Sequence, residues 1–339
     1  MVTTTLPWTA PPTQGSTVDD RLAWYVEVAR LAPSKHNSQP WRFVRRDGAL
    51  LLWPDLQRAL PLSDPMNREL LLSCGAAVQL AVVAAQSLGH SLLVSWLPEA
   101  GSTLLARLTE GPPQPVRPDA AALLAAVAER RTDRGPLDAS VLSRSLGFEL
   151  QAAAFDHVVD LRLVVTPAER TTLADLVTQA DRMLVRDGGI DVELASWQRV
   201  PSDQRRDGVP VDHTRGAAAS YRAEFVQRDF GMGHARRPAM DGDGPDAPLI
   251  AVLCTEADQA LDWLVAGRAL ASVLLQAQVR GAHASYLNQP CEVPSVRHAL
   301  RSALGLTGHP QVVLRIGAGS EVSATPRREA RQVLTRDDR

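Results

Sequence analysis

The sequence carries one glycine pattern twice, inside two long apolar segments that each predict a helix. Gly75 lies in the first segment and Gly267 in the second, and each is followed 14 residues later by a second glycine, Gly89 or Gly281. A run of strand-forming residues comes next in both places, and the two patterns lie 192 residues apart. One matched pair would be weak evidence, since glycine commonly ends a helix. Two pairs at one spacing indicate an ancient duplication.

The composition fits a folded chain with two domain-sized units. The chain has 339 residues, of which 45% are hydrophobic and 22% charged, so it can bury two cores and is too apolar for wholesale disorder. Its net charge of -2 provides no general attraction for nucleic acid or an anionic membrane. The longest apolar run, near Cys74 to Ala85, is interrupted by Gln79, so we expect no membrane span. The first residues lack the pattern of a signal peptide, and a soluble cytoplasmic protein is predicted.

Several familiar sites are absent from the sequence. The three cysteines, Cys74, Cys254 and Cys291, are far apart, and the histidines lack ligand spacing with carboxylates or cysteines. A disulfide framework and a metal site are therefore not expected. The chain also has no glycine-rich dinucleotide fingerprint, no Walker-type loop and no GxSxG elbow. Any phosphate group must be held in another way.

Periodicity and capping residues predict helices at 17–31, 67–88, 119–129, 168–185 and 257–280. Strands are predicted at 41–44, 49–53, 91–97, 161–165, 249–254, 284–287 and 311–316. Residues 111–118 hold four prolines and suggest a linker. Residues 186–247 are polar, with a short aromatic helix expected near Tyr221 to Phe230. This stretch far exceeds an ordinary connection of ~4–6 residues, which indicates a lid, a partner surface or a partly disordered segment.

Three polar segments could carry chemistry. Residues 33–41 (PSKHNSQPW) include Lys35, the only lysine of the chain, and could present amides and hydroxyls to a polar ring system, although a capped turn is equally consistent. Residues 129–134 (ERRTDR) suit a phosphate, while a basic helix end is the alternative. Residues 325–328 (TPRR) suit a phosphate or a solvated tail equally well.

The first of these segments resembles the PSxxNxQPW motif of the nitroreductase-fold flavoproteins. Residues 130–134 resemble the Arg-x-Ser-x-Arg/Lys run with which that family holds the FMN phosphate and the flavin edge, and residues 287–290 resemble the loop at the flavin N5 side. In ordinary members both motifs lie in one short chain, and two chains form a dimer with two flavins. Here the motif order is reversed and each half keeps one motif, since residues 152–157 have lost the Pro-Ser loop. This is similar to the Acg branch, in which fused halves mimic the dimer and keep a single FMN.

The resemblance implies an α+β nitroreductase fold with two duplicated half-domains that form a pseudo-dimer around one FMN site. It implies a flexible arm at 1–16, a first half at 17–111, a linker at 112–118 and a second half at 119–334 with an inserted lid at 186–247. The resemblance also implies the residues that bind the cofactor. Around the ring and the ribityl chain these are Ser34, Lys35 and Asn37, with Pro33 and Gln39 of the same motif. Around the phosphate they are Arg130, Thr132, Arg327 and Arg328, with Arg131; at the N1/O2 edge they are Arg134 and more loosely Arg68, and near N5 they are Asn288 and Gln289.

The implied function is that of an FMN-binding oxidoreductase. NAD(P)H would reduce the flavin, and a nitro- or quinone-type acceptor would reoxidise it by ping-pong hydride transfer through N5. A lid-covered FMN storage protein with little turnover is the alternative, and a dehydrogenase or flavin-destroying activity is a third. An open cavity beside N5 would favour an enzyme, whereas Trp197, Tyr221 or Phe225 packed on the flavin would favour storage. A pseudo-dimeric monomer or a homodimer is expected.

Overall fold

The computed structural model of the protein describes residues 8–13, 15–211, 224–226, 248–319 and 322–336, which form a mixture of helix and sheet. Its helices are α1 (Val18–Ala29), α2 (Arg68–Ser87), α3 (Ala120–Glu129), α4 (Arg144–Phe155), α5 (Pro167–Arg186), α6 (Gly188–Ser196), α7 (Ala260–Val279), α8 (Gln289–Glu292), α9 (Pro294–Ala303) and α10 (Ala330–Val333). Its strands are β1 (Trp41–Arg46), β2 (Ala49–Pro54), β3 (His90–Trp96), β4 (Ala106–Pro113), β5 (Asp160–Val164), β6 (Gln198–Arg199), β7 (Val209–Pro210), β8 (Leu249–Thr255), β9 (His283–Tyr286), β10 (His309–Gly317) and β11 (Leu334–Arg336).

Local sequence signals explain where the predicted elements begin and turn. The hydroxyl of Thr17 accepts from the Asp20 amide and the Asp20 carboxylate accepts from the Thr17 amide, which is a capping box at the start of α1. The β1–β2 hairpin turns at Asp47 and Gly48, both with positive φ, as a two-residue hairpin turn requires. Every helix and strand predicted between 17 and 185 and between 249 and 316 is confirmed, with ends that differ by a few residues.

The two larger sheets repeat one strand order. The first has the order β11-β1-β2-β4-β3 and the second β5-β8-β10-β9. Apart from β11, which pairs with β1 in parallel, every neighbouring pair in both sheets is antiparallel. In the series β1-β2-β4-β3, the strand before the long helix α2 (β2) is second and the strand after it (β3) is last. In the series β5-β8-β10-β9, the strand before the long helix α7 (β8) is likewise second and the strand after it (β9) is last. The second sheet therefore matches the first sheet without β11.

The long helices α2 and α7 cross each other at the repeated glycines. A Cβ on Gly75 would lie 1.9 Å from the carbonyl oxygen of Leu264, and a Cβ on Gly267 would lie 2.0 Å from that of Leu72. Both distances are far below van der Waals contact, so only glycine fits at either position. The crossing holds the two sheets on opposite sides of one helical layer.

Both of these helices are 20 residues long and apolar enough to cross a membrane by length and composition, so the prediction that no apolar run reaches that length was wrong. Gln79 does not interrupt α2, because its buried side chain accepts a hydrogen bond from the Nε of Arg268 on α7 at 3.0 Å. Most of the apolar window of each helix is buried inside the protein. Such burial is the property of a core helix in a folded protein.

Other parts of the fold were not foreseen. Strand β4 contains Pro112 and Pro113 of the expected linker, and α4 was not predicted. Trp8 is buried in the first core, so the expected flexible arm packs against the fold at this residue. Of the aromatic helix expected near Tyr221 to Phe230, the structure describes only residues 224–226, which are not helical; the remainder lies outside the described residues.

Candidate active site

The loop between α1 and β1 has an unusual backbone. His36, Asn37 and Gln39 have φ values of 50°, 54° and 52°, in the left-handed region that residues other than glycine seldom occupy. Three such residues within four positions cost conformational energy that the surroundings must supply, and strained backbone of this kind clusters at ligand sites. The Ser34 hydroxyl accepts a hydrogen bond from the Gln39 amide at 2.9 Å. The loop is thus a capped turn and also a wall of the site described below.

Side-chain amides tie this loop to two distant segments. The Nδ2 of Asn37 donates to the carbonyl oxygens of Gly208 and Pro326, each at 2.9 Å. The Oε1 of Gln39 accepts from the Arg328 amide at 2.8 Å. The loop, the insertion that follows α6 and the C-terminal segment therefore meet in one place, which explains how the strained backbone is held.

These segments enclose a cavity of about 430 Å³, within the range of small-molecule sites. It lies where the first-half loop faces α3, β9 and the C-terminal segment. Eleven of the predicted cofactor-binding residues line it: Pro33, Ser34, Lys35, Asn37, Arg130, Arg131, Thr132, Arg134, Asn288, Gln289 and Arg327. Motifs from distant parts of the sequence are thereby brought together in one concave site.

Buried arginines crowd one part of this cavity. Burial lowers the pKa of Arg130. Burial also lowers the pKa of Arg327, and the charges of Arg130, Arg131 and Arg30 lower it further. Arg130 is 7% exposed, and among the described residues no carboxylate forms an ion pair with Arg130, Arg131 or Arg327. Several cations that repel one another without a carboxylate form a strong site for a phosphate-like anion.

Backbone pairing positions this arginine run. Thr132 forms a parallel bridge with Ala284 of β9, and the Asp133 amide donates to the Ala284 carbonyl oxygen at 3.0 Å. Because α3 ends at Glu129, the run leaves the helix directly and continues beside the sheet. The guanidinium groups that precede and follow Thr132 therefore face the cavity from a fixed backbone.

Three buried polar atoms on cavity-lining residues have neither a hydrogen-bond partner nor an ion-pair partner among the described residues. They are the Nε of Arg327, the Oδ1 of Asn37 and the hydroxyl of Tyr286. Burial raises the pKa of Tyr286, although the charges of Arg130 and Arg134 oppose this. The tyrosine therefore stays a neutral donor. Buried polar atoms are normally paired, so this set of donors and acceptors suits a ligand with a polar ring and an anionic group.

Lys35 lines the cavity, but its ammonium is held by protein groups. Its Nζ lies 2.5 Å from Glu69 Oε2 and 3.3 Å from Glu292 Oε2, and it donates to the Ser63 carbonyl oxygen at 2.8 Å. All three charged side chains are buried. Lys35, which is predicted to contact a flavin, therefore also has two acidic neighbours, Glu69 and Glu292, which the sequence did not predict.

Comparison with known proteins gives this geometry its context. No family model matches the chain. A Mycobacterium tuberculosis (strain H37Rv) protein named "Putative NAD(P)H nitroreductase" is 34% identical over 316 residues, which cover 91% of this chain and 89% of that protein. The Acg protein of the same strain, named in the same way, is 30% identical over 91% of this chain and 93% of its own length. The chain belongs to the nitroreductase family, as an Acg-like member.

A more distant relative agrees with this family assignment. "Probable NAD(P)H nitroreductase PigM" of a Serratia strain is 25% identical over 94% of each chain. At the level of the family, this nitroreductase-family chain is an oxidoreductase, and membership implies a flavin and an NAD(P)H electron donor in general. The alignments span almost the whole chain, so the relationship is not confined to one half.

Three predicted site residues of this nitroreductase-family chain, Gln39, Arg68 and Arg328, are not among the residues that line the cavity. Arg68 is buried and donates to the carbonyl oxygens of Gln311 and Cys291 at 2.6 and 3.2 Å, so it connects α2 to the second half. Gln39 belongs to the strained loop, and its Nε2 donates to the carbonyl oxygens of Asn37 and Arg206. Arg328 donates to the Gln39 carbonyl oxygen at 3.1 Å. Each of the three connects segments of the fold through hydrogen bonds to backbone groups, and Arg328 also pairs with Asp55.

Several cavity-lining residues were not foreseen. Sequence neighbours provided a signal for some of them: Arg30 directly precedes the loop, Glu69 follows Arg68, and Tyr286 and Glu292 flank the predicted Asn288 and Gln289. Arg206 lies within the long polar insertion, where nothing distinguishes it from neighbouring arginines. These residues complete the two charged parts of the site, the arginines and the carboxylates.

The described part of the insertion is fixed to the first half by charges. Trp197 lies between Arg58 and Arg199, whose guanidinium carbons are 5.4 and 5.6 Å from the ring centroid. Asp207 pairs with both arginines. Such cation–π contacts and ion pairs are individually modest at a partly exposed site, but together they fix the path of residues 197–211.

The aromatic residues expected to cover a flavin do not line the cavity in the described residues. Trp197 packs against the guanidinium groups of Arg58 and Arg199. Phe225 is buried in a core cluster with residues of β8 and α5. Tyr221 lies outside the described residues. The insertion contributes Arg206 and Val209 to the cavity wall, which places its described part at the border of the cavity.

Proposed function

We propose that this protein binds FMN and uses it to transfer electrons from NAD(P)H to a nitro- or quinone-type acceptor. The observation that carries the proposal is the meeting of the loop at 33–37, the arginine run at 130–134, the pair Asn288 and Gln289, and Arg327 around one cavity. Each of these segments resembles a flavin-contacting motif of the family, although they lie far apart in the sequence. Chance assembly of four such motifs around a cavity of ligand size is a poor explanation.

The residues present fit this cofactor. The buried Arg130 and the half-buried Arg131 and Arg327 suit the phosphate, which needs no glycine-rich loop when guanidinium groups hold it. The unpaired Asn37 oxygen and Tyr286 hydroxyl suit the polar edges of a ring system. A single compact cluster of arginines matches the terminal phosphate of a mononucleotide, and this favours FMN.

When bound, the flavin supplies hydride chemistry at N5 in a ping-pong sequence, first with NAD(P)H and then with the acceptor. The chain binds the phosphate through its arginines and orients the ring through the strained loop. Arg134, which lines the cavity, places a fixed cation where we expect the N1/O2 edge, and this stabilises negative charge that develops there. No side-chain nucleophile is required.

We further propose that the two halves arose by duplication and act as a pseudo-dimer with one flavin site. The repeated strand order and the 20-residue helices whose bounds differ by 192 positions support this. The reciprocal contacts of Gly75 and Gly267 support it as well, because the two contacted residues, Leu72 and Leu264, are also 192 positions apart. A monomer with one site is the assembly that this arrangement favours.

The enzyme is favoured over an FMN store by one observation. Among the described residues, neither Trp197 nor Phe225 lines the cavity, whereas a storage role would place such aromatic residues on the flavin. Volume alone does not separate the two functions, because FMN itself must occupy part of the 430 Å³. Acceptor access is therefore the property to measure.

An anaerobic absorbance titration tests the proposal. The FMN-loaded protein should be bleached by NADPH or NADH within seconds and recoloured by a nitroaromatic or a quinone. A flavin that stays oxidised with both nucleotides but bleaches with dithionite would support the storage alternative. Riboflavin, which lacks the phosphate, should bind far more weakly than FMN. A colourless protein that cannot be reconstituted with FMN would overturn the cofactor assignment.

A further inference from the structure

One exposed cation lies at the border of the cavity. Arg206, in the insertion that follows α6, is among the residues that line the cavity, and its side chain is 58% exposed. Every other cation that lines the cavity in the described part of the chain is buried or half-buried: Arg30, Lys35, Arg130, Arg131, Arg134 and Arg327. Arg206 therefore lies where the solvent meets the cavity.

The backbone that carries Arg206 is fixed against the strained loop. The Arg206 carbonyl oxygen accepts from the Gln39 Nε2 at 2.8 Å. Two residues later, the Gly208 amide donates to the Asn37 carbonyl oxygen at 3.2 Å. The ion pairs of Asp207 hold the residue between them. The long side chain of Arg206 is therefore able to change its partner while the cavity wall stays in place.

The ion pair of Arg206 in the described residues is weak. Its Nη1 lies 3.5 Å from the Glu329 Oε1, and both side chains are exposed, so the pair contributes little to stability. Glu329 has a closer partner, because its Oε2 lies 2.6 Å from the Nε of Arg331. Loss of the contact with Arg206 leaves this carboxylate paired. An anionic ligand therefore displaces Glu329 from Arg206 at a small cost in free energy.

The neighbouring residue Arg205 shows what distinguishes Arg206. The Arg205 side chain is exposed to a similar degree, 61%, but its guanidinium donates to both carboxylate oxygens of Asp203 at 2.7 to 3.1 Å. Arg205 is also not among the described residues that line the cavity. It is therefore a matched control: an adjacent arginine of similar exposure whose charge is already paired.

The reaction of the family identifies the anion. The buried and half-buried arginines suit the phosphate of a resident cofactor, whereas an exposed cation at the border suits a ligand that enters and leaves in each turnover. Family membership implies an NAD(P)H electron donor. Both nucleotides carry a diphosphate, to which NADPH adds a 2′-phosphate, and a guanidinium binds such groups through paired N–H donors.

We propose that Arg206 binds a phosphate group of the nicotinamide nucleotide and thereby sets the affinity for the electron donor. This inference rests on the proposed flavin function and adds a donor-binding residue that the flavin motifs do not include. The contact is remote from the transferred hydride, so it stabilises the bound nucleotide and the transition state equally. Its loss raises the Kd of the nucleotide and leaves the limiting rate of flavin reduction unchanged.

The first test measures equilibrium binding without turnover. The FMN-loaded protein is titrated with tetrahydro-NADPH, an analogue whose ring cannot donate hydride, and binding is followed through the flavin absorbance. In Arg206→Gln the Kd should rise about 10-fold, because a charged hydrogen-bonding group is removed, and Arg206→Lys should recover part of the affinity. Arg205→Gln should bind the analogue as the wild type does. An unchanged Kd in Arg206→Gln overturns the inference.

The second test uses stopped flow and identifies the phosphate. Arg206→Gln should need about 10-fold more NADPH for half of the limiting rate of flavin reduction, while that limiting rate stays constant. A loss with NADPH alone assigns the contact to the 2′-phosphate, and an equal loss with NADH assigns it to the diphosphate. The loss should shrink in high salt, because exposed charges are screened. A lower limiting rate at unchanged half-saturation would indicate a structural role and overturn the proposal.

The affinity for FMN separates this inference from the proposed function. Flavin-free Arg206→Gln, titrated with FMN, should give the wild-type Kd. Weaker FMN binding with unchanged nucleotide binding would place Arg206 at the cofactor phosphate, so the inference would fail while the flavin assignment stands. A wild-type protein that binds no FMN would overturn both.

Discussion

The two halves lead from an outer helix into the sheet by different routes. Residues 30–40 separate α1 from β1 in the first half, whereas residues 156–159 separate α4 from β5 in the second. The longer connection carries the strained loop of the cavity. The shorter one is an ordinary turn, and the second half instead supplies the arginine run after α3. The helices and strands around these two connections correspond in order, while each half contributes a different part of the cavity wall.

This difference shows that the structural and the chemical requirements on the chain are separate. The helix crossing needs glycine on both sides, since each helix contacts the backbone of the other. The cavity needs one strained loop and one arginine run in total. If the two halves arose by the duplication proposed above, one copy of each motif could be lost without losing the site, whereas neither glycine could be replaced. The predictions below test this separation.

The largest effect is expected at the helix crossing. Gly75→Ala and Gly267→Ala should each lower the free energy of unfolding by about 3 kcal/mol, because a Cβ at either position meets a backbone carbonyl that cannot move aside. Urea unfolding measures this. Gly188→Ala at the start of α6, where a Cβ meets nothing within 4 Å, is the control and should be neutral. Clearly unequal losses at the two crossing glycines would argue against an equivalent role in the two halves.

A smaller effect, on binding alone, is expected from the arginine run. Arg130→Gln should weaken FMN binding by about 2 kcal/mol, roughly 30-fold, because it removes a buried charged donor. Stability of the flavin-free protein should rise or stay constant, since one of the mutually repelling cations is lost. Fluorescence titration measures the affinity, with the exposed Arg331→Gln as control. Unchanged affinity in Arg130→Gln would remove this residue from the phosphate site.

The loop should behave differently from the arginine run. Asn37→Ala should lower stability by about 1.5 kcal/mol and also weaken FMN binding, because Asn37 joins two other segments as well as lining the cavity. The two effects are measured on one sample by unfolding with and without FMN. A loss of affinity with no loss of stability would show that the amide bonds to Gly208 and Pro326 contribute nothing to the fold.

The smallest effect is expected at the insertion. Burial opposes ionisation of Asp207, but hydrogen bonds from Arg199 and Arg58 hold its pKa below the ordinary value. Its stabilising contribution is therefore present above pH ~4 and declines as the pH falls through the lowered pKa. Asp207→Asn should cost about 0.5 kcal/mol at neutral pH, and this difference should shrink in acid and in high salt. A cost that is independent of pH would exclude the ion pairs as its cause.

Sequence patterns predicted the parts of this protein that depend on local chemistry. The long helices, the hairpin at Asp47 and Gly48 and the segments that meet at the cavity all followed from periodicity, turn residues or motifs. The buried contacts of Lys35 with Glu69 and Glu292 did not, because these residues are remote from Lys35 in sequence and carry no local signal of their partner. Strand β11 was also missed, since three residues give no periodicity and only pairing with β1 makes them a strand.

The position of β11 has a consequence for how the protein is made. This strand pairs with β1, matching Leu334 to Phe43, and Arg327 shortly before it completes the arginine cluster. A growing chain leaves the ribosome from its N-terminus, so this edge of β1 stays open until residues 334–336 have been synthesised. An open edge invites pairing with other chains. Closure of this edge thus comes long after β1 itself has been made, and Arg327 joins the cavity wall at the same late stage.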